Sequence, residues 1–319
     1  MDNVSHSLAG WALARAAGPT RPAGTTLTLV LASNLPDLDF VLMLRSEAAY
    51  LLYHRGFSHS LLGLAVLPWL LAGGLAWAYA GRTRFRWLLL LGYVGVGLHL
   101  IYDVVTSWGT MLLYPFDLTR FALDWLFIVD LVTWAAALAV VLWTWRRPAH
   151  GSRAVAAFGA GLLLYAALAG SLHARAGRAA ARAERSAGGQ VAEVHVIPRP
   201  GAPLRWSAFA VSPADAPEPR IAGYEVAGLP PSARLAARFH RGFDDPWVAR
   251  ALATRDGQAY LWWARVPMAT TRVEPARVTV LLRDLRYSRT IVPAAETRAP
   301  FALAFEFDPS TGELLDTRW

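Results

Sequence analysis

The groups able to do chemistry in this chain fall into a few short motifs. Asp2 and His6 stand four residues apart, as do His99 and Asp103 within the apolar run 87–108. Asp37 and Asp39 flank one residue in Asn34-Leu35-Pro36-Asp37-Leu38-Asp39, and His54, Arg55 and His59 share His54-Arg55-Gly56-Phe57-Ser58-His59-Ser60. A four-residue spacing puts two side chains on one helix face about 6 Å apart along the axis, so both can address one centre. Two carboxylates flanking one residue of an extended segment also share a side. Imidazole and carboxylate without thiolate suit zinc, manganese or iron. Ionisable groups at membrane depth are costly unless they pair, hold an ion or face water, so a divalent metal site is the expectation.

Each group also has a plainer role. His99 and Asp103 can fasten two helices by a hydrogen bond, and Asp2 can simply favour a helix N-terminus. His54 and His59 can stand at the foot of a span while Arg55 snorkels to the headgroups. Asp117, Asp124 and Asp130 read as caps or buried hydrogen-bond partners, with Asp117 at most supporting the site from behind. His150, His173, His195 and His240 are isolated and read as structural.

The elements that must position these groups are apolar. The 319 residues are 55% hydrophobic and 17% charged, against about 25% charged in a soluble domain, which reads as a membrane protein. Residues 1–172 hold 11 Arg and 8 acidic residues, and residues 173–319 hold 20 and 15, so the first part is the membrane part. Four runs approach the roughly 20 residues a helical span needs: 61–80, 87–108, 121–145 and 154–172. Ahead of them, 4–17 and 25–34 read as a short helical hairpin that enters the membrane without cleanly spanning it. Residues 173–189, rich in Ala, Arg and Gly, read as a helical or flexible linker. Residues 190–319 read as a soluble β-rich domain, with strands over 191–197, 205–211, 259–266, 277–282 and 301–307 and a hairpin turn at Asp308-Pro309-Ser310-Thr311-Gly312.

If the long runs alternate across the membrane, every candidate ligand arrives at one face. His59 opens the first run at that face, His99 and Asp103 lie in the half of the second run that ends there, and the hairpin delivers Asp37 and Asp39 to it. Arg82, Arg84, Arg86, Arg146, Arg147 and Arg153 gather on the opposite side, which makes that side cytoplasmic and the site extracytoplasmic, together with the β-rich domain. Arg175, Arg178, Arg182 and Arg185 weigh the other way.

Absences narrow the chemistry further. With no Cys there is no disulfide, thiolate zinc site, iron–sulfur cluster or cysteine nucleophile. All 31 basic residues are Arg, so Schiff-base chemistry and a Walker-type phosphate loop are excluded. The Arg residues are scattered rather than striped, which argues against nucleic acid despite a net charge of +8. No cleavable signal is expected after Met1-Asp2, because a basic region and a clean apolar core are missing there.

These motifs resemble the YdjM-type family of membrane-bound metal-dependent hydrolases. The likeness rests on Met1-Asp2-Asn3-Val4-Ser5-His6 with Gly10, on the Asp37 and His54 motifs above, and on His99-Leu100-Ile101-Tyr102-Asp103 with Thr106, Trp108-Gly109-Thr110 and Tyr114-Pro115-Phe116. Ser5 stands where the family pattern has Thr, which keeps the hydroxyl. The resemblance covers residues 1 to about 120. It implies a multi-helix membrane hydrolase whose metal ligands are Asp2, His6, Asp37, Asp39, His54, His59, His99 and Asp103. The His-x-x-x-Asp pair is also similar to that of the helical zinc phospholipase C and nuclease group, and the β-rich tail resembles extensions of longer family members.

The function expected from this is hydrolysis of a phosphoester, a phospholipid or lipid-linked phosphate, at the membrane surface. Water would be activated by zinc, or by manganese or iron, with more than one ion because the ligands exceed one tetrahedral shell. Asp103 or Asp37 would take the proton and Arg55 would present its planar fork to phosphate oxygens. Protease readings fit poorly, since neither His-Glu-x-x-His nor a Gly-x-Gly-Asp partner for Tyr102-Asp103 is present. Two other classes stay open: a non-catalytic metal-binding scaffold or regulator whose β domain binds a protein partner, and ion transport through the bundle.

Overall fold

The computed structural model describes residues 1–80, 82–216, 220–287 and 300–319. Its contacts divide the chain into two units. The helical unit comprises Met1–Leu42, Tyr53–Ser171 and Pro198–Pro203, and the β-rich unit comprises Met43–Leu52, Leu172–Ile197 and Leu204–Trp319.

The helices are α1 (Asn3–Ala14), α2 (Thr25–Ala32), α3 (Glu47–Tyr53), α4 (Leu61–Ala78), α5 (Phe85–Val104), α6 (Leu131–Arg146) and α7 (Gly151–Ser186). Three helical stretches are long and apolar enough to cross a membrane: α4, α5, and Pro148–Ser186, which contains α7. A fourth exists if α2 and the 3-10 helix Pro36–Leu44, bent by 49°, count as one broken span. The break has a local cause. Pro36 lacks an N–H and pushes Leu35 out of helical geometry, so α2 stops at Ala32 and the chain restarts in a new direction.

Helix α1 packs on α2 and α6, and α2 packs on α5. Two glycines permit the closest approaches. A Cβ on Gly10 would stand 2.9 Å from the Leu29 carbonyl oxygen, and one on Gly95 would stand 2.5 Å from the Ala32 Cβ. Ala12, Ala14, Ala32, Leu88, Val96 and Leu100 fill the interior, while Leu70, Trp77, Leu90 and Leu163 remain exposed, as on helices that face lipid.

The expected third span, 121–145, is only partly helical: α6 begins at Leu131. Asp130 caps it by accepting from the Thr133 N–H, and it also accepts from the Tyr165 hydroxyl at 2.8 Å. The chain before it is not helical, because its N–H groups are spent elsewhere. Leu123 donates to the Val104 carbonyl, Trp125 to that of Val105, and Phe121 pairs with Thr110, so the orphan carbonyls ending α5 are satisfied.

In the β-rich unit, β1 (Glu193–Arg199), β2 (Ala202–Val211), β3 (Arg220–Ala227) and β4 (Ser232–His240) form one sheet in sequence order. After α8 (Pro246–Leu252) and α9 (Arg255–Trp263), β5 (Pro267–Glu274), β6 (Arg277–Asp284), β7 (Leu303–Phe307) and β8 (Leu314–Arg318) form a second. The pairs β2–β3, β3–β4, β5–β6, β6–β7 and β7–β8 are antiparallel. Leu172, Ala176 and Ala180 of α7 join a core with Val196, Trp206, Ala208 and Tyr224. The expected turn is present, with Gly312 donating to the Asp308 carbonyl at 2.8 Å.

The expected strand over 259–266 is a correction, because most of it belongs to α9. Its aromatic run suits a strand, but Thr254 caps the segment by accepting from the Gly257 N–H, and Gly257, Tyr260 and Trp263 are buried at a helical three-residue interval. Trp263 is buried and Trp262 half-exposed.

Candidate metal centre

All the candidate metal ligands, and Arg55, lie in the helical unit. Helix α5 supplies His99 and Asp103, the 3-10 helix after the α2 break supplies Asp37 and Asp39, and the turn between α3 and α4 supplies His54, Arg55 and His59. Arg55 has φ +60, a left-handed conformation that a non-glycine residue adopts at some cost. That geometry turns its N–H to Asp39 Oδ2 at 3.0 Å and its carbonyl to the Met111 N–H at 2.9 Å, fastening the turn between two loops.

Four groups converge. His59 Nε2 lies 3.0 Å from His99 Nε2, 3.2 Å from Asp103 Oδ2 and 3.3 Å from Asp37 Oδ1. His99 Nε2 lies 3.3 Å from Asp103 Oδ2 and 3.7 Å from Asp37 Oδ1. His59, His99 and Asp103 are fully buried, whereas the Asp37 side chain keeps 12% of its surface exposed. Asp37, His59, His99 and Asp103 could hold a metal ion, and Asp37, Asp39 and His54 form a second such group.

The partners behind the rings decide which nitrogen is available. His99 Nδ1 donates to the Ser33 carbonyl at 2.7 Å. Ser58 Oγ donates to Asp39 Oδ2 at 2.8 Å and so accepts from His59 Nδ1 at 2.9 Å. Both imidazoles therefore turn their Nε2 atoms to the shared centre, with the remote nitrogen tied to an oxygen as metal-ligating histidines usually are. One proton on His59 Nε2 can satisfy only one of its three facing acceptors, so the cluster holds more acceptors than donors. The donor set fits a divalent cation. Burial alone would discharge His59, but hydrogen bonds to Asp103, Asp37 and Asp39 outweigh it and raise the imidazole to about 10, so the cluster draws positive charge to itself.

The remaining candidates surround this centre. His6 is buried and stacks on His99 with ring centroids 3.8 Å apart, and neither of its nitrogens has a hydrogen-bond partner among the described residues. Its Nε2 is 3.4 Å from Asp103 Oδ1. Asp39 meets His54 Nδ1 at 2.7 Å, in addition to the Arg55 N–H, Ser58 and His59, so it is already well supplied with donors. Burial keeps His54 below its ordinary value despite Asp39, hence neutral.

Two placements differ from expectation. Asp2 stands at the α1 N-cap, accepting from Val4 and Ser5 N–H and from Ser5 Oγ, and belongs to neither group. The fork of Arg55, expected to meet a phosphate, is engaged with Asp103 Oδ1 at 3.0 Å, the Asp103 carbonyl at 3.3 Å and Thr106 Oγ1 at 3.2 Å, and the residue is buried. The Met1 amine also pairs with Asp103 Oδ1. The Asp117 carboxylate accepts from the Thr119 N–H and hydroxyl. Sequence reasoning missed Ser33, Ser58 and Thr106 as supports. Ser58 carried a signal, since it sits inside the histidine motif; Ser33 acts through its carbonyl, which no residue type announces.

Comparison with known proteins agrees with this picture in its breadth and goes no further in chemistry. A Bacillus subtilis (strain 168) protein, printed as "Uncharacterized protein YfhP", is 29% identical over 150 residues. That stretch is 44% of this chain and 45% of the relative, so the chain spans less than half the relative's length. No solved structure matches. The YdjM inner membrane protein family matches residues 1–176, all seven convergent or flanking His and Asp positions included, and the chain belongs to that family.

Proposed function

We propose that the helical unit is a metal-dependent hydrolase of the membrane surface, acting on a phosphoester with phospholipid or lipid-linked phosphate as the substrate class. The observation that supports this most is the pair of Nε2 atoms 3.0 Å apart, each with its remote nitrogen tied to an oxygen and both facing Asp37 and Asp103. Asp37, His59, His99 and Asp103 would hold the principal ion, with zinc, manganese or iron suited to that donor set. A second ion at Asp37, Asp39 and His54 would bind more weakly, since Asp39 would have to give up hydrogen bonds it already accepts. When bound, a divalent ion supplies Lewis acidity that makes water a nucleophile near neutral pH.

The chain's own residues divide the remaining work. Ser33 and Ser58 fix the two rings, and Arg55 with Thr106 positions Asp103. Asp103 is fully buried with Arg55 against one oxygen, which leaves the free oxygen of Asp37, the carboxylate with an exposed edge, as the group that takes a proton from water. His6, stacked on His99 with its Nε2 3.4 Å from Asp103 Oδ1, packs behind the His99 ring. The Arg residues at the far ends of α4, α6 and α7 support an extracytoplasmic site.

The test is metal content and phosphodiesterase turnover of the purified protein beside His59→Ala and His99→Ala. At least one divalent ion per chain is expected, lost together with turnover in both variants. Unchanged stoichiometry in both would refute the ligand assignment. Bound metal without turnover of any phosphoester would leave only a metal-binding scaffold.

A further inference from the structure

The 3-10 helix Pro36–Leu44 has two sides of opposite character. Asp37 and Asp39 turn to the metal centre, each with 12% of its side chain exposed, whereas His6, Arg55, His59, His99 and Asp103 are exposed by 2% or less. The opening of the site is therefore beside this segment. Between and beyond the two aspartates, Leu38, Phe40 and Val41 are 56%, 55% and 49% exposed. No charged residue other than the two aspartates occurs from Pro36 to Leu44. Phe57 at 42% and Phe116 at 91% add apolar surface on adjoining loops, which are bonded to the bundle end through Leu61 N–H to the Leu112 carbonyl and Met111 N–H to the Arg55 carbonyl.

Depth identifies what covers this surface. Helix α5 has 20 residues, about 30 Å at 1.5 Å per residue, which is the hydrocarbon thickness. Asp103 and His99 precede its last residue by one and five positions, so the centre lies within about 8 Å of the span's end. An apolar edge on a broken span at that level meets lipid tails and headgroups rather than bulk water.

We infer that Pro36–Leu44 is a lipid-embedded doorway: Leu38, Phe40 and Val41 lie in the acyl–headgroup boundary, and an amphiphilic substrate reaches Asp37 sideways from the bilayer along them. The chemistry at the end of that path rests on the hydrolase reading; the placement of the segment in lipid does not. A membrane-resident phosphoester keeps its acyl chains beside Leu38 and Phe40 while its phosphate turns inward past Asp37. A soluble phosphoester gains nothing from those side chains.

The chain has no Cys, so single-cysteine labelling needs no background removal. Leu38→Cys, Phe40→Cys and Val41→Cys would carry spin labels in vesicles of phosphatidylethanolamine and phosphatidylglycerol, with Leu90→Cys on α5 as the lipid control and Glu313→Cys as the aqueous one. Collisions with oxygen should exceed those with a water-soluble nickel chelate at 38, 40 and 41, as at 90. Nickel-dominated collisions at all three, as at 313, would overturn the proposal. In the second arm, Leu38→Ser with Phe40→Ser should lower turnover of a vesicle-borne phosphodiester about tenfold or more and leave a soluble aryl phosphodiester unchanged. Equal loss on both substrates, with metal content retained, would contradict sideways entry. Should the wild type hydrolyse neither, the hydrolase reading fails while the label depths still decide where the segment lies.

Discussion

Buried charge is treated in opposite ways by the two units. In the β-rich unit Asp284 receives Arg286 Nη2 at 2.8 Å and Nε at 2.9 Å, together with the N–H groups of Arg265 and Arg286. Glu184 is closed in the same manner by the Tyr224 hydroxyl and Arg238, each at 2.6 Å. Opposite meets opposite, and each carboxylate is supplied with donors. At the convergent centre of the helical unit, beside the Arg55–Asp103 pair, like meets like: imidazole faces imidazole, Asp37 and Asp103 face the same point, and one His59 proton cannot answer every acceptor around it. A satisfied pair braces a fold, whereas an unsatisfied cluster is held in place by the rest of the fold and calls for another explanation. The contrast separates structural charge from functional charge more sharply than burial does, since both kinds are buried.

Breaking the unsatisfied side should have the largest effect. His99→Ala or Asp103→Ala removes a ligand and a ring neighbour at once, and tightly bound metal should fall from one equivalent to none in elemental analysis of dialysed protein. Breaking the satisfied side should do the reverse. Arg286→Met leaves Asp284 buried without its cation, costing about 3–5 kcal/mol in denaturant unfolding of the β-rich unit while metal content stays the same. Equal effects of the two substitutions on metal content would erase the distinction drawn between the units.

Smaller effects sharpen it. Gly95→Ala forces a Cβ to 2.5 Å from that of Ala32, which should push α2 and the Ser33 carbonyl away from His99 and cost about 1–3 kcal/mol in thermal unfolding. The pH dependence follows from His59. Its imidazole is raised from 6.5 to about 10 in the metal-free protein, so its contribution to stability is complete below pH 6.5 and disappears as pH rises through about 10. Metal must displace that proton, hence affinity should improve about tenfold per pH unit between those limits in a calorimetric titration. Ser58→Ala, which loosens the His59 ring without removing a ligand, should weaken metal binding by about tenfold.

How much of this could be read in advance depended on whether the signal was carried by residue type. The His99–Asp103 face, the Asp37 motif and His59 announce themselves through costly groups in apolar surroundings, and they converge; the His99–Asp103 spacing does so on a helix as expected, whereas Asp37 and Asp39 sit on a 3-10 helix and not on an extended segment. Asp2 is open to two readings in the sequence, since an acid before a helix is both a ligand type and an N-cap, and the Val4 and Ser5 N–H groups show it at the cap. Arg55 misled because a guanidinium suits a phosphate and a carboxylate equally, and tertiary packing delivered Asp103. The non-helical chain before α6 and the helix α9 were hidden for another reason. Apolar composition reports burial, while the hydrogen bonds that choose between helix and extended chain come from Asp130, Thr254 and the end of α5.

The central claim is that His59 and His99 share one cation with Asp37 and Asp103. X-ray absorption at the metal edge of protein reconstituted with zinc and dialysed tests it most directly. The expected result is a shell of nitrogen and oxygen neighbours at about 2.0–2.2 Å with the outer-shell pattern of two imidazoles, absent in His99→Ala. A spectrum of fully hydrated zinc, or one identical in wild type and His99→Ala, would contradict it.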